Sequence, residues 1–257
     1  MSKIYITTTV DKNYYETKHR MWIDSVKLYS DNNCLPLMFS IDFNPVEAID
    51  YINIPKDELQ HSSNPFLENR NSYTCLETGE FLKFTDFNDD DVVILTDWDL
   101  VQQRKFTGPE LDLVFGLGKY EFGMNLDAYI PEQNVGKFFD MQTIYPDITS
   151  DFKVYNAGVQ VAKVSAWKNF YQLYVDQYSS EFYGIESRAR MHHASAQYLF
   201  NYIIHKENLL KEFPVTFHNA HWFKGTPARV VDNRLYVEED VVLFNHHKFV
   251  YIPNFKD

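Results

Sequence analysis

The sequence predicts an α/β protein with a parallel sheet flanked by helices, and three observations lead there. Strand-like apolar runs alternate with helical periodicity through the first hundred residues, in the order βαβαβ. One run, Asp91-Val92-Val93-Ile94-Leu95-Thr96, is short, β-branched and uninterrupted, as a strand buried on both faces reads. It ends directly in Asp97-Trp98-Asp99, so two carboxylates stand at the carboxyl end of a strand, where open α/β sheets keep their ligand crevices.

Residues 4–10 form the first expected strand. Tyr15, Trp22, Val26 and Tyr29 then recur at helical spacing, and Asp31-Asn32-Asn33 ends that helix. Residues 35–41 read as a second buried strand, with Pro36 near its start, where a missing N–H does least harm. A short helix over 46–51 and a strand fragment over 52–54 follow. Asn64-Pro65 and residues 69–71 mark a loop, and a helix is expected across 74–84 before Asn88-Asp89-Asp90 turns into the strand ahead of the acidic pair.

In the second half, residues 122–125 and 155–162 read as strands. Ser165 is the expected cap of a helix carrying Trp167, Phe170, Leu173 and Tyr174. Residues 194–205 form another helix, with short strands near 215–217 and 241–244. No repeat, low-complexity tract or long linker divides the chain, so a single α/β unit is the simplest account.

Composition narrows the function classes. With 257 residues, 45% hydrophobic and 23% charged, the chain is of ordinary globular make-up and can bury a full core. Its 18 Tyr and 21 Phe serve first as core, and second as rings that could line a crevice for sugars or bases. No apolar run reaches the roughly 18 residues of a membrane span, and the amino terminus enters a strand with no signal-peptide apolar region. Cys34 and Cys75 lack metal or CxxC spacing, which suggests reduced thiols and a cytoplasmic location.

The net charge of -12 argues against bulk attraction to nucleic acid. It is unevenly spread: residues 188–257 hold nine Lys and Arg against seven Asp and Glu, and seven of the nine His. A more cationic carboxyl-terminal part facing an acidic metal pair suits an anionic ligand held between them.

An isolated Asp-x-Asp is a common tripeptide, and most copies are solvated loop acids. At a strand edge, however, two carboxylates at i and i+2 present hard oxygens to Mg²⁺ or Mn²⁺, which can bridge to a diphosphate. Gly158, inside a strand pattern, points to a bulge or to close approach of another group to bare backbone.

These segments, taken in order, resemble the GT-A nucleotide-sugar-dependent glycosyltransferases, and most nearly the retaining glycogenin and lipopolysaccharide-galactosyltransferase type. The run from Ile4 through Thr9 to Val10-Asp11-Lys12-Asn13-Tyr14 is similar to that family's first strand and nucleotide-binding turn. Arg70, Tyr73 and Phe81-Leu82-Lys83-Phe84, upstream of Asp97-Trp98-Asp99, resemble its helix and DxD metal motif. Tyr155-Asn156-Ala157-Gly158-Val159 resembles its Asn-(Ala/Ser)-Gly-Val strand. Gln197-Tyr198-Leu199-Phe200-Asn201 resembles its Gln-Asp-x-Leu-Asn helix start, and Val242 to Lys248 its late strand with a metal-binding His. The likeness runs from about residue 3 to 250.

The resemblance implies a GT-A (Rossmann-like) fold spanning 1–257, with a mixed, mainly parallel central sheet. Residues 1–100 would be the nucleotide-binding half and 101–257 the sugar and acceptor half. It implies transfer of a hexose or pentose from a nucleoside diphosphate, UDP foremost, to a glycan or other hydroxyl acceptor, with retention. Asp97, Asp99 and His246 would hold the cation, with His247 the alternative imidazole. A His ligand tilts the choice towards Mn²⁺ over Mg²⁺. Thr8, Thr9, Asp11, Asn13 and Trp98 would meet the nucleotide, and Arg70 and Lys83 would neutralise donor charge. Asn156, Ala157, Gly158 and Asp127 would line the donor sugar, and the amide oxygen of Gln197 would face the anomeric carbon.

The chain departs from the pattern at Ala196 and Tyr198, where the family flanks its Gln with Asp. The usual sugar-hydroxyl acceptor is thereby lost, and Glu186, His192, His193 and Asp127 are the candidates to replace it. Two alternatives follow: a sugar-nucleotide hydrolase or binding module without a productive acceptor site, and an enzyme that glycosylates a hydroxylated nucleic-acid base, which the charge disfavours. A two-metal phosphoesterase would need more clustered His and Asp.

Overall fold

The computed structural model describes residues 2–18, 20–46, 49–59, 78–127, 145–149, 152–178, 195–219, 228–232, 234–237 and 239–246. Its centre is β1 (Ile4–Asp11), which pairs in parallel with β2 (Cys34–Ile41) on one side and β4 (Val92–Thr96) on the other. Beyond β2 lies β3 (Asp50–Ile54), also parallel. Beyond β4 the direction reverses: β7 (Val159–Lys163) is antiparallel to β4 and to β6 (Phe122–Met124), and β8 (Leu210–Glu212) closes the edge parallel to β6. The seven-stranded order β3-β2-β1-β4-β7-β6-β8 is mixed and mainly parallel, as expected. Since β2 and β4 leave β1 on opposite sides, the carboxyl ends of β1 and β4 flank a topological switch point.

Helices cover both faces. On one, Ile4, Ile6, Val92, Ile94, Val159 and Val161 pack against Trp22, Ile23 and Val26 of α2 (Arg20–Tyr29) and Val114 of α3 (Gly108–Phe115). On the other, Val93, Leu95, Phe122 and Ala162 meet Trp167 and Phe170 of α4 (Val164–Leu173) and Leu199, Phe200 and Ile203 of α5 (Ser195–Lys206). Because β4 is covered on both sides, all five of its residues are buried, which is why it reads as an unbroken apolar run. Among the described residues no helix is long and apolar enough to cross a membrane. Cys34 is a buried thiol pushed up to about 12, first by burial and then by Asp31; Cys75 lies outside the described residues.

Several local expectations change. The first helix is two: α1 (Lys12–Lys18) follows β1 directly, ahead of α2. Residues 50 and 51 are not helical but open β3, because the edge of β2 offers them a ladder partner from Leu37 onward. Within 74–84 the described part is a turn and then a 3-10 helix (Glu80–Phe84), since Gly79 at φ 96 breaks an α-helix; residues 60–77, with the loop signals, lie outside the described residues.

Ser165 does not cap α4. The helix starts at Val164 after Lys163, and the Ser165 hydroxyl donates to the Lys119 carbonyl at 3.2 Å. Residues 215–217 form a turn, closed by Phe217 N–H on the Pro214 carbonyl, and the strand is β9 (His218–Asn219). The run near 241–244 divides into β12 (Asp240–Val241), paired with β11 (Arg234–Val237), and β13 (Phe244–His246). Antiparallel to β11 lies β10 (Ala228–Val231). A further three-stranded sheet places β13 between β5 (Leu100–Gln102) and β9.

Arg104 fastens this region. Its Nε donates to the Val241 carbonyl at 2.7 Å, while Nη1 and Nη2 donate to the Glu110 carboxylate at 2.7 and 2.6 Å. Burial pushes the Glu110 carboxyl up, but Arg104 and the Thr107 N–H and hydroxyl outweigh it and hold its pKa below the usual value of 4.5. A depressed folded-state pKa stabilises the protein fully above the unfolded value and ceases to do so as pH falls through the folded one. Urea unfolding should therefore show a steeper loss of stability between about pH 5 and 3 in the wild type than in Glu110→Gln. Parallel acid limbs would mean the pair contributes no pH-dependent stability.

Candidate functional site

The site begins where β4 ends. Asp97 N–H donates to the Gly158 carbonyl at 2.9 Å, extending the β4–β7 ladder one step past Thr96↔Val159. Leu100 N–H then closes a turn onto the Asp97 carbonyl at 3.3 Å, which brings Asp97 and Asp99 to the same edge before β5 starts. β5 pairs antiparallel with β13 in the register Leu100↔His246, and this carries an imidazole across 147 residues of sequence to Asp99. His246 Nδ1 lies 3.1 Å from Asp99 Oδ1.

One ligand atom each from Asp97, Asp99 and His246 fall within 4.8 Å of one another, close enough to share a cation. Gly158 forms the wall beside them. A Cβ at that position would stand 3.0 Å from Asp97 Oδ2, 3.0 Å from His246 Nε2 and 2.7 Å from Asn156 Oδ1, so the space next to the donor atoms exists only because residue 158 has no side chain. Two carboxylates and an imidazole fit Mn²⁺ or Mg²⁺, with the nitrogen favouring the former. His218 lies behind, its ring centroid 5.4 Å from that of His246.

The turn Asn156–Gly158 extends the edge. Asn156 Oδ1 accepts from Gly158 N–H at 2.8 Å, and Asn156 Nδ2 donates to the buried Asp127 at 2.8 Å. This local bond is why the strand begins only at Val159, while Tyr155 makes an isolated bridge with Leu126. Gln197, in the first turn of α5, accepts at Oε1 from Ala157 N–H at 3.2 Å. Asn156, Ala157, Gly158, Asp127 and Gln197 thus form one hydrogen-bonded group next to Asp97, Asp99 and His246.

Around the ends of β1 and β4 the residues expected to meet a nucleotide are differently engaged. Thr8 is buried, its hydroxyl donating to the Thr96 carbonyl at 2.9 Å, so it ties β1 to β4 rather than facing the crevice. Thr9 Oγ1 is buried with no hydrogen-bond partner among the described residues. Asp11 Oδ1 accepts from Tyr14 N–H at 2.8 Å and so starts α1, while Asn13 is exposed. Trp98 stacks on Tyr14 with centroids 4.9 Å apart and planes at 28°. Lys83 is paired with buried Glu80 at 2.7 Å and lies over the Tyr171 ring; burial opposes its charge, but these partners keep its pKa above the ordinary lysine value. Arg70, Glu186, His192, His193 and His247 lie outside the described residues.

Two residues that the quoted motifs contain, without an assigned role, prove to position others. Asn201, fully buried in α5, accepts from Tyr155 N–H at 2.5 Å and donates to the Tyr155 carbonyl at 2.7 Å, clamping the helix to the segment it faces. An Asn amid Leu199, Phe200, Tyr202 and Ile203 was the available signal, as a mid-helix amide usually has a task. Tyr14, the last residue of the first-strand motif, gains its role from stacking on Trp98, while its neighbour Tyr15 is buried in the core.

The sequence matches no protein-family model and no curated protein. Among solved structures, the chain is similar to the galactosyltransferase LgtC in complex with donor and acceptor sugar analogs: TM-score 0.60, 14% identity, covering 94% of this chain and 86% of that one. It is similar to mouse xyloside xylosyltransferase 1 in its apo form, with TM-score 0.61 and 12% identity over 96% of this chain and 98% of that one. An active-site Gln-to-Glu mutant of LgtC matches with TM-score 0.58 and 14% identity over 98% and 88%. At such identities the likeness is one of fold, and the fold is GT-A.

Gly158→Ala tests the cradle. The added methyl should weaken Mn²⁺ binding, measured by isothermal titration, at least tenfold, while far-UV circular dichroism stays unchanged. Wild-type Mn²⁺ affinity in this variant would mean that the cation does not sit between Asp97, Asp99 and His246.

Proposed function

We propose that this chain is a metal-dependent glycosyltransferase that moves a sugar from a nucleoside diphosphate, UDP foremost, to a hydroxyl acceptor with retention of anomeric configuration. The observation that carries the reading is the shared edge: the Asp97, Asp99 and His246 cluster abuts Gly158, and Gln197 is bonded to the neighbouring Ala157. The GT-A fold adds to it, as does the presence among the similar structures of a galactosyltransferase and a xylosyltransferase.

The chemistry follows from charge. Departure of a nucleoside diphosphate concentrates negative charge on the leaving group, and a divalent cation bound there supplies Lewis-acid stabilisation. Asp97, Asp99 and His246 would hold that ion, preferably Mn²⁺. Trp98 and Tyr14, with Thr9, Asp11 and Asn13 near them at the end of β1, would meet the nucleotide. Arg70 is assigned to donor charge on sequence grounds alone, and Lys83 is the weaker candidate because Glu80 already takes its charge. Residues 1–100 would then serve the nucleotide and 101–257 the sugar and acceptor.

At the sugar, Asn156 and Asp127 offer hydroxyl partners, and bare backbone at Gly158 lets the ring approach. The Gln197 oxygen, held by Ala157 N–H, would face positive charge developing at the anomeric carbon. Such a contact strengthens only towards the transition state, so it acts on kcat more than on binding.

Three measurements test this. Asp99→Asn should abolish Mn²⁺-dependent binding and turnover of UDP-sugars while the fold persists; wild-type turnover would reduce the acidic pair to a loop. Gln197→Ala should lower kcat by about 10–1000-fold with little change in donor affinity, the range for removing one electrostatic stabiliser. Proton NMR of the product should show the donor's α configuration, and a β product would overturn retention.

A further inference from the structure

Gln160 interrupts the apolar run of β7, between Val159 and Val161. Its side chain is fully buried, and neither its amide oxygen nor its amide nitrogen has a hydrogen-bond partner among the described residues. Each unmet donor or acceptor carries its own desolvation penalty into the folded state. A Leu or Met would fill similar volume without that cost, so folding alone gives no reason for a carboxamide here.

Register says which way it faces. Gln160 stands opposite Leu95 in the β4–β7 ladder, and the next pair outward on the same face is Asp97 and Gly158. Alternation sends Val159 and Val161 to the α2 side, whereas Leu95 and Ala162 belong to the opposite core. That opposite core is the one closed by α5, whose first turn brings Gln197 onto Ala157. The carboxamide is therefore one side-chain step, about 7 Å along the strand, beneath the Gly158 wall.

We propose that Gln160 is a specificity-determining residue for the transferred sugar, its oxygen accepting from one ring hydroxyl and its NH₂ donating to another. This rests on the donor reading given above and extends it. A carboxamide is neutral and offers both a donor and an acceptor, which matches a hydroxylated sugar rather than a phosphate. Sites built this way discriminate strongly, because a ligand lacking the hydroxyl leaves the buried amide unpaired.

The test is isothermal titration, with Mn²⁺ present, of UDP and of UDP-glucose, UDP-galactose and UDP-xylose into the wild type, Gln160→Leu and Gln160→Met. Both variants should bind UDP as the wild type does. They should lose about tenfold in affinity for the UDP-sugar the wild type prefers, the worth of one good hydrogen bond. Without ligand, their melting temperatures should equal or exceed the wild-type value, since a buried unpaired amide has been removed. Unchanged UDP-sugar affinity overturns the assignment. So does an equal loss for UDP and UDP-sugar, and so does a lowered melting temperature in both variants, which marks an amide holding a structural water. A wild type that binds no UDP-sugar overturns the donor reading itself, and this contact with it.

Discussion

The backbone hydrogen bond from Asp97 to Gly158 joins the two strands that meet with opposite sense, β4 and β7, at the point where their ladder ends. Its position decides the site. On the β4 side it holds the first carboxylate at the sheet edge; on the β7 side it holds the residue whose missing side chain leaves room beside that carboxylate. A slip of β7 by one residue in this register would turn Gln160 to the other face and remove Gly158 from Asp97. The difference between the two faces of β7, with Val159 and Val161 in one core and Gln160 on the other side, makes such a slip costly.

Buried polar links lock the same region to β1 and α2. Trp22 Nε1 donates to Thr96 Oγ1 at 2.8 Å, Thr96 Oγ1 donates to the Thr7 carbonyl at 2.8 Å, and Thr8 Oγ1 donates to the Thr96 carbonyl at 2.9 Å. These bonds pin the ends of β1 and β4 together immediately behind Asp97. Asn201 does the equivalent work just ahead of β7, holding α5 to Tyr155 so that Gln197 reaches Ala157. The buried side chains of Thr8, Thr96 and Asn201 are satisfied by backbone atoms of a second element, and Trp22 by the Thr96 hydroxyl, which fixes geometry in a way apolar packing alone does not.

Strands legible from the sequence were the largely buried β1, β2 and β4, and of these β4, buried throughout, reads most plainly because an unbroken apolar run has few other uses. Less legible were segments whose form depends on one local bond. Asn156 bonding Gly158 delays β7 to Val159, Gly79 at φ 96 shortens a helix, and the edge of β2 draws Asp50 and Tyr51 out of a helical pattern. Local propensity is weak beside a free ladder edge or a side chain that satisfies the backbone.

The sequence by itself determined the α/β class, the strand that ends in Asp97-Trp98-Asp99, and the order of the segments that resemble GT-A glycosyltransferases, because burial patterns and strand ends are written in neighbouring residues. Only the tertiary structure decided that His246 reaches Asp99, since that contact is made by pairing β5 with β13. It also turned Thr8 inward, engaged Lys83 with Glu80, and set Gly158 against Asp97 and His246. The physical reason is the same throughout. A side chain's role is set by what lies across the sheet or helix interface from it, and those neighbours are distant in sequence and invisible to local pattern.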